Sequence, residues 1–378
     1  MGTLWPLSGP RTPYLLTLVQ TTATATRCAP VRLPADIAAH LARFGLTLAD
    51  LLTDSNPKLA KGGDVAAAVI LHHLPARALA AAVTPGHQGS TAPRSYLPAL
   101  AALAAREGLS SAALAHNGCP WATGGCAAGC LNWAGHGGLS PDVAACRGRR
   151  TLAMLADPAL YGRAVLWAIA RAWARAQAAG LPLAARLRGT DEGPARGWHR
   201  LILEIGPAEA QAIARRYAMP VAPGSGTLAH ALAVPLAEGT LHLYDYSKSP
   251  LTGPLGLLAQ RAAGWDVTAS MAADRGSAVS DAAAALRAGF RLAVPVALAK
   301  GAPLPRTLTL SPAGGPALTV PCIDGDASDH RWRDPHGVAV ILRTKVSRGA
   351  DRTLADPFSL APIPDCQPLA DGAARLAW

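Results

Sequence analysis

Thr240–Ala297 reads TLHLYDYSKSPLTGPLGLLAQRAAGWDVTASMAADRGSAVSDAAAALRAGFRLAVPVA. Three short apolar runs, Thr240–Tyr246, Asp266–Met271 and Arg291–Ala297, alternate here with two segments of helical texture, Leu255–Ala263 and Ser280–Ala288. Strand–helix alternation at this spacing predicts right-handed βαβ units and a parallel sheet, either open or closed into a barrel. Outward from this stretch the same texture continues through a strand at Leu183–Arg188 and a helix at Pro207–Tyr217, and ends in a strand at Val338–Thr344. Arg149–Gly180 is the longest helical stretch, and the pair Asp157–Pro158 reads as a break with a fresh N-cap. Further upstream, Val65–Leu74 has the length and β-branched content of a buried strand, and Leu97–Glu107 reads as an Ala-rich helix.

The organisation expected from this pass is an appended segment at 1–50, an α/β core at 51–350 and a tail at 351–378; the appended segment carries an amphipathic helix at Pro34–Arg43. Half of the residues are hydrophobic and 16% are charged, which provides for a substantial core and argues against disorder. No window offers the roughly 20 uninterrupted apolar residues of a membrane span. The N-terminus is broken by Pro6, Pro10 and Pro13 and lacks a basic leader, so a cytoplasmic location is expected. The net charge is +11, yet lysine is confined to Lys58, Lys61, Lys248, Lys300 and Lys345. An arginine-rich balance of this kind fits a nucleic-acid or nucleotide partner and equally fits a GC-rich composition.

Asn117–Gly138 has neither helical nor strand periodicity, and long loops of this type inside compact domains are usually functional. It holds Cys119, Cys126 and Cys130 in a C-x6-C-x3-C arrangement interleaved with Gly124, Gly125 and Gly129. Thiolates are preferred ligands of iron–sulfur clusters and zinc, and glycines let the backbone wrap a compact inorganic centre. Three cysteines on a [4Fe–4S] cluster leave one iron open to an exogenous ligand; zinc wants a fourth ligand, for which Cys146 or His136 is available. Three unligated thiols in a small-residue loop is the plainer alternative. Seven cysteines, an odd number in a chain of this size, do not form a disulfide framework of the usual kind.

In parallel α/β folds, ligands bind beyond the carboxyl ends of the strands, so polar residues after each apolar run are the first candidates. Tyr244, Asp245 and Lys248 end one strand; alternation sends Tyr244 and Tyr246 to one face and Asp245 to the other. A Lys–Asp pair there can bind and polarise a carboxylate or phosphate, and a solvated turn before Pro250 is the competing reading. Asp324, Asp326, Asp329 and His330 fall within one short run suited to a divalent metal, to acid–base work or to a ribose, although Asp-Gly-Asp is also ordinary turn chemistry. Asn56 and Lys58 lie in a Gly-flanked loop that either touches an anion or is simply solvated, and His72 and His73 read as packing residues.

The ordered runs SNPKLAKGGD, GCPWATGGCAAGCLNWAGHGG, RTLAML, ARLRGTDEG, LYDYSKSP, CIDGDASDHRWRDP and VAVILRTK resemble a family of phage and integrative-element proteins similar to the mycobacteriophage "gene eighty-eight" proteins. The resemblance covers about residues 55–350. The family in turn is remotely similar to the radical S-adenosylmethionine barrels. This resemblance implies a partial or complete parallel βα barrel, radical SAM-like or TIM-like. It also implies a [4Fe–4S] cluster on Cys119, Cys126 and Cys130, S-adenosylmethionine as cofactor, and a nucleotide or nucleic acid as substrate. Arg186, Thr190, Asn56 and Lys58 would then contact the cofactor, and Asp191, Tyr244, Asp245, Lys248 and Asp326 would carry the chemistry. The cysteine spacing departs from the C-x3-C-x2-C of those enzymes. The run Arg186–Glu192 also lacks the Asn-Gly-Thr-Ser-Asp order expected after that strand. The rival expectation is a non-catalytic nucleic-acid-binding protein with a structural zinc or iron–sulfur site.

Overall fold

A computed structural model describes residues 32–54, 65–74, 96–110, 118–124, 126, 140–195, 197–296 and 303–343, and the backbone of 373–376. Eleven strands are present among them: β1 (Ala67–Ile70), β2 (Leu183–Arg186), β3 (Ile202–Ile205), β4 (Gly224–Thr227), β5 (Leu241–Ser247), β6 (Asp266–Ser270), β7 (Arg291–Val296), β8 (Thr307–Leu310), β9 (Leu318–Asp324), β10 (Ala339–Arg343) and β11 (Ala373–Leu376). Nine form one sheet in the order β1-β2-β5-β6-β7-β10-β9-β8-β11, while β3 and β4 make a separate antiparallel ribbon. Every neighbour pair in the large sheet is parallel except β8 with β9. The protein is therefore an α/β protein with a mostly parallel sheet.

From β1 to β10 the order rises with the chain and never reverses, apart from the insertion of β3–β4 and β8–β9. At the carboxyl end of β1, Thr53 exchanges both backbone hydrogen bonds with Ile70 at 2.8 Å. Strand β2 is Leu-Ala-Ala-Arg, with Leu183, Ala184 and Ala185 fully buried, as a central parallel strand covered on both faces requires.

The long helical stretch is two helices, Pro141–Ala156 and Pro158–Ala178. Their junction is the expected one: Leu160 N–H donates to Asp157 Oδ1 at 2.9 Å, and Pro158 occupies the first turn, where a missing N–H is harmless. The first helix begins at Pro141, earlier than its apolar texture suggests, because Ser140 caps it and accepts from Val143 N–H. Asp157→Ala is expected to lower stability by about 1 kcal/mol, the usual value of an N-cap side chain, read as a fall in the urea midpoint at unchanged slope.

Pro158–Ala178 carries Val165, Leu166, Trp167 and Ile169 at zero exposure, so the core is built around it. The helix Ala35–Arg43 packs on it with Ile37 and Leu41 buried, and Arg163 bonds both Glu209 (2.7 Å) and Asp36 (2.6 Å). The compact unit begins at Leu33 and runs to Trp378. This first helix is thus in contact with Pro158–Ala178, and β11 pairs with β8. The strands β3, β4, β8 and β9 lie where no strand is expected from sequence. β4 is Gly-Ser-Gly-Thr, which has no apolar periodicity, and β9 contains Pro321. Among the described residues no helix is long and apolar enough to cross a membrane.

Candidate functional site

Because β1, β2, β5 and β6 run parallel, the segments that follow them gather at one edge of the sheet. Alternation on β5 divides its residues as expected. Asp245 and Ser247 face one side, where Ser247 meets Gln260 of the helix Leu257–Ala262; Tyr244 faces the other, against Trp332 with ring centroids 4.9 Å apart.

Asp245 is fully buried. Its carboxylate accepts from Arg188 N–H (3.0 Å) and Leu187 N–H (3.3 Å), and it pairs with the guanidinium groups of Arg188 (3.3 Å) and Arg186 (3.7 Å). Burial pushes its carboxyl up to about 6, against the downward pull of Arg188 and Arg186. The ion pairs of Asp245 thus come from Arg186, which ends β2, and Arg188 just after it, on the strand next to β5 in the sheet, and not from the neighbouring Lys248. Glu192 ties the same loops together: it accepts from Lys248 N–H (3.0 Å), Ser247 Oγ–H (3.0 Å) and Arg188 (3.1 Å). Arg188 also donates to Gln260 at 2.7 Å.

A second group, His73, Asp191 and Tyr161, lies where β1 and β2 end. A carboxylate can only accept, so His73 Nδ1 donates to Asp191 Oδ1 (3.3 Å), and Nε2 is hydrogen-bonded to the Tyr161 hydroxyl (3.2 Å). Trp198 stacks on the imidazole at 6.3 Å, and the His73 and Asp191 side chains are 0% and 1% exposed. Burial holds the Tyr161 hydroxyl well above the ordinary tyrosine range. His73, expected only to pack, is thus the hub of a hydrogen-bonded chain. The sequence signal that could have shown this is its place immediately after a buried parallel strand. Its neighbour His72 is driven down to about 2 by burial, with Arg147, Arg186 and Arg150 adding to the effect. Gly189 allows this close approach: a Cβ there would stand 2.4 Å from His72 Nδ1.

The described part of the cysteine loop docks on this edge. Glu192 N–H donates to Gly118 O at 2.6 Å, and Cys119 Sγ lies 3.8 Å from Thr190 O. Thr123 Oγ1–H donates to Asp274 at 2.6 Å, and Arg275 donates to Trp121 O and, at 3.3 Å, to Lys248 O. Cys119 and Cys126 are half-buried and free of disulfides. Cys130, His136, Asn56 and Lys58 lie outside the described residues, and among the described residues no three potential ligands stand together for a metal.

On the opposite face Arg186 donates to Asp329 (3.2 Å) and lies over the Tyr246 ring at 4.6 Å; Tyr246 O–H and Tyr244 O–H also reach Asp329, at 3.1 and 3.5 Å. Burial works against the Arg186 charge, but Asp329, Tyr246 and Asp245 outweigh it and raise the value. The Asp-Gly-Asp run divides: Asp329 joins the strand ends, whereas Asp326 accepts from Arg343 N–H at 3.0 Å and forms a turn with Asp324 at the β9–β10 end. Arg186, Thr190, Asp191, Tyr244 and Asp245 are thus brought together, and Asp326 is held by a different set of partners.

No family model, curated protein or solved structure matches the chain.

Proposed function

We propose that this chain is an iron–sulfur enzyme of the radical S-adenosylmethionine-like kind, with its sheet curved into a partial βα barrel and its substrate a nucleotide or nucleic acid. The observation that carries the reading is the seat of the cysteine loop: Gly118, Cys119, Trp121 and Thr123 rest on the segments that follow β2 and β6, at the carboxyl edge where parallel α/β folds bind ligands. The rising strand order supports the barrel, since successive right-handed crossovers without a reversal put their helices on one face and leave the other concave.

The ligands would be Cys119, Cys126 and Cys130. The donor chemistry of the two described thiols fits: both are soft, half-buried and outside any disulfide. When bound there, such a cluster supplies the electron for reductive cleavage of the cofactor sulfonium. The protein's own residues divide by exposure. Asp191, Asp245 and Tyr244 are buried and fully engaged, so they position loops and do not touch substrate. Glu192, Lys248 and Arg275 keep part of their surface at the edge, and the two cations suit a phosphate. The overall charge of +11 agrees with an anionic substrate.

Anaerobic purification with iron and sulfide analysis tests this. The wild type is expected to hold about four irons per chain and absorb broadly near 400 nm, as thiolate-held clusters do. Each of Cys119→Ala, Cys126→Ala and Cys130→Ala is expected to lose most of the iron and, in equilibrium dialysis, S-adenosylmethionine binding. A colourless wild type with zinc and steeply salt-dependent DNA binding would overturn the enzyme reading in favour of a nucleic-acid-binding protein.

A further inference from the structure

We infer that His73 is a positioning residue: through Thr190 and Asp191 it clamps the β2 turn that holds Cys119 in place. Two contacts join His73 to this turn. Its carbonyl accepts from Thr190 Oγ1–H at 2.5 Å, and its imidazole Nδ1 donates to Asp191 Oδ1 at 3.3 Å. The ring cannot swing away, because Tyr161 bonds Nε2 and Trp198 covers its face. The same turn then grips the cysteine loop on both sides of Asp191. Thr190 offers its carbonyl to Cys119 Sγ at 3.8 Å, and Glu192 donates its N–H to Gly118 O at 2.6 Å. Residues 190–192 are thus held from below by His73 and hold residues 118–119 above. A carboxylate buried at 1% exposure and tied to an imidazole at 0% is an expensive way to fix a turn unless the position of the turn matters.

This inference rests on the proposed function only in taking Cys119 as a ligand; the clamp itself can be tested without metal. In full-length protein purified with a chelator, the alkylation rate of Cys119 by a maleimide is followed by mass spectrometry, with Cys322 of β9 as internal reference. Cys322 is half-buried, and burial pushes its thiol up to about 12, so it reports general loosening. Thr190→Val, nearly isosteric, removes only the hydroxyl. It is expected to raise the Cys119 rate about tenfold, as loss of one hydrogen bond from a closed loop implies, while Cys322 stays unchanged. Thr190→Ser is expected to restore the wild-type rate, and Asp191→Leu to act like Thr190→Val. An unchanged Cys119 rate in both Thr190→Val and Asp191→Leu would overturn the clamp, as would Cys119 and Cys322 rising together. If the anaerobic wild type holds no iron, the cluster reading fails while the alkylation result still decides the clamp. If it holds iron, Thr190→Val is expected to shift the cluster's reduction potential at unchanged melting temperature.

Discussion

Asp245→Ala is expected to lower stability by about 3–5 kcal/mol at pH 7, the range for removing one partner of a buried ion pair. The loss has three parts. Arg188, at 4% side-chain exposure, loses its buried carboxylate partner and keeps Glu192 and Gln260; Arg186 loses one of two; and the N–H groups of Leu187 and Arg188 lose their acceptor. Asp245→Asn is expected to be milder, because an amide oxygen can still take the backbone bonds. The pH dependence separates charge from shape. Burial raises the Asp245 carboxyl from 3.8 to about 6, so between these values the folded chain holds a proton that the unfolded chain has released. Its contribution to stability is therefore fully present below about 3.8 and is lost as pH rises through about 6, by up to about 3 kcal/mol. Urea titrations at pH 4.5 and 7 check this: the stability of wild type relative to Asp245→Asn is expected to fall at the higher pH. A difference that does not change with pH would show that Asp245 does not titrate in this window.

Arg186 and Asp329 provide the second large effect. Asp329→Ala is expected to lower stability by about 3–4 kcal/mol, since it strips a 5%-exposed carboxylate from one guanidinium and two tyrosine hydroxyls at once. Arg186→Met alone leaves Asp329 its two tyrosine donors, so its cost should be smaller. In the double variant the buried charge disappears from both sides, and a coupling energy of about 1–3 kcal/mol is expected from the cycle. Urea midpoints of the four proteins provide it. Because Arg186 also reaches Asp245 at 3.7 Å, Asp245→Asn and Asp329→Ala should be non-additive; strict additivity would mean that Arg186 does not link the two carboxylates.

Local signals were legible where a single segment carries them. The Asp157 cap lies within three residues of the N–H it accepts, and the opposite facing of Asp245 and Tyr244 follows from the two-residue period of a strand. Thr190, Asp191 and Asp245 were legible as strand-end residues, but their partners were not. Asp245 carries no mark in sequence that its counter-ions are Arg186 and Arg188, and the adjacent Lys248 was the natural guess.

By itself the amino-acid sequence determined an α/β protein with parallel strands, the position of the helix break at Asp157, and the residues to be found at the carboxyl ends of β2 and β5. These follow from periodicity and capping, which act over a few residues. The tertiary structure alone decided the sheet order, the antiparallel β8–β9 pair, and the contacts of His73 with Asp191 and of Arg186 with Asp329. Those partners stand 118 and 143 residues apart in the chain. Their meeting depends on strand register and crossover geometry, which are set by how whole elements pack and not by any local pattern.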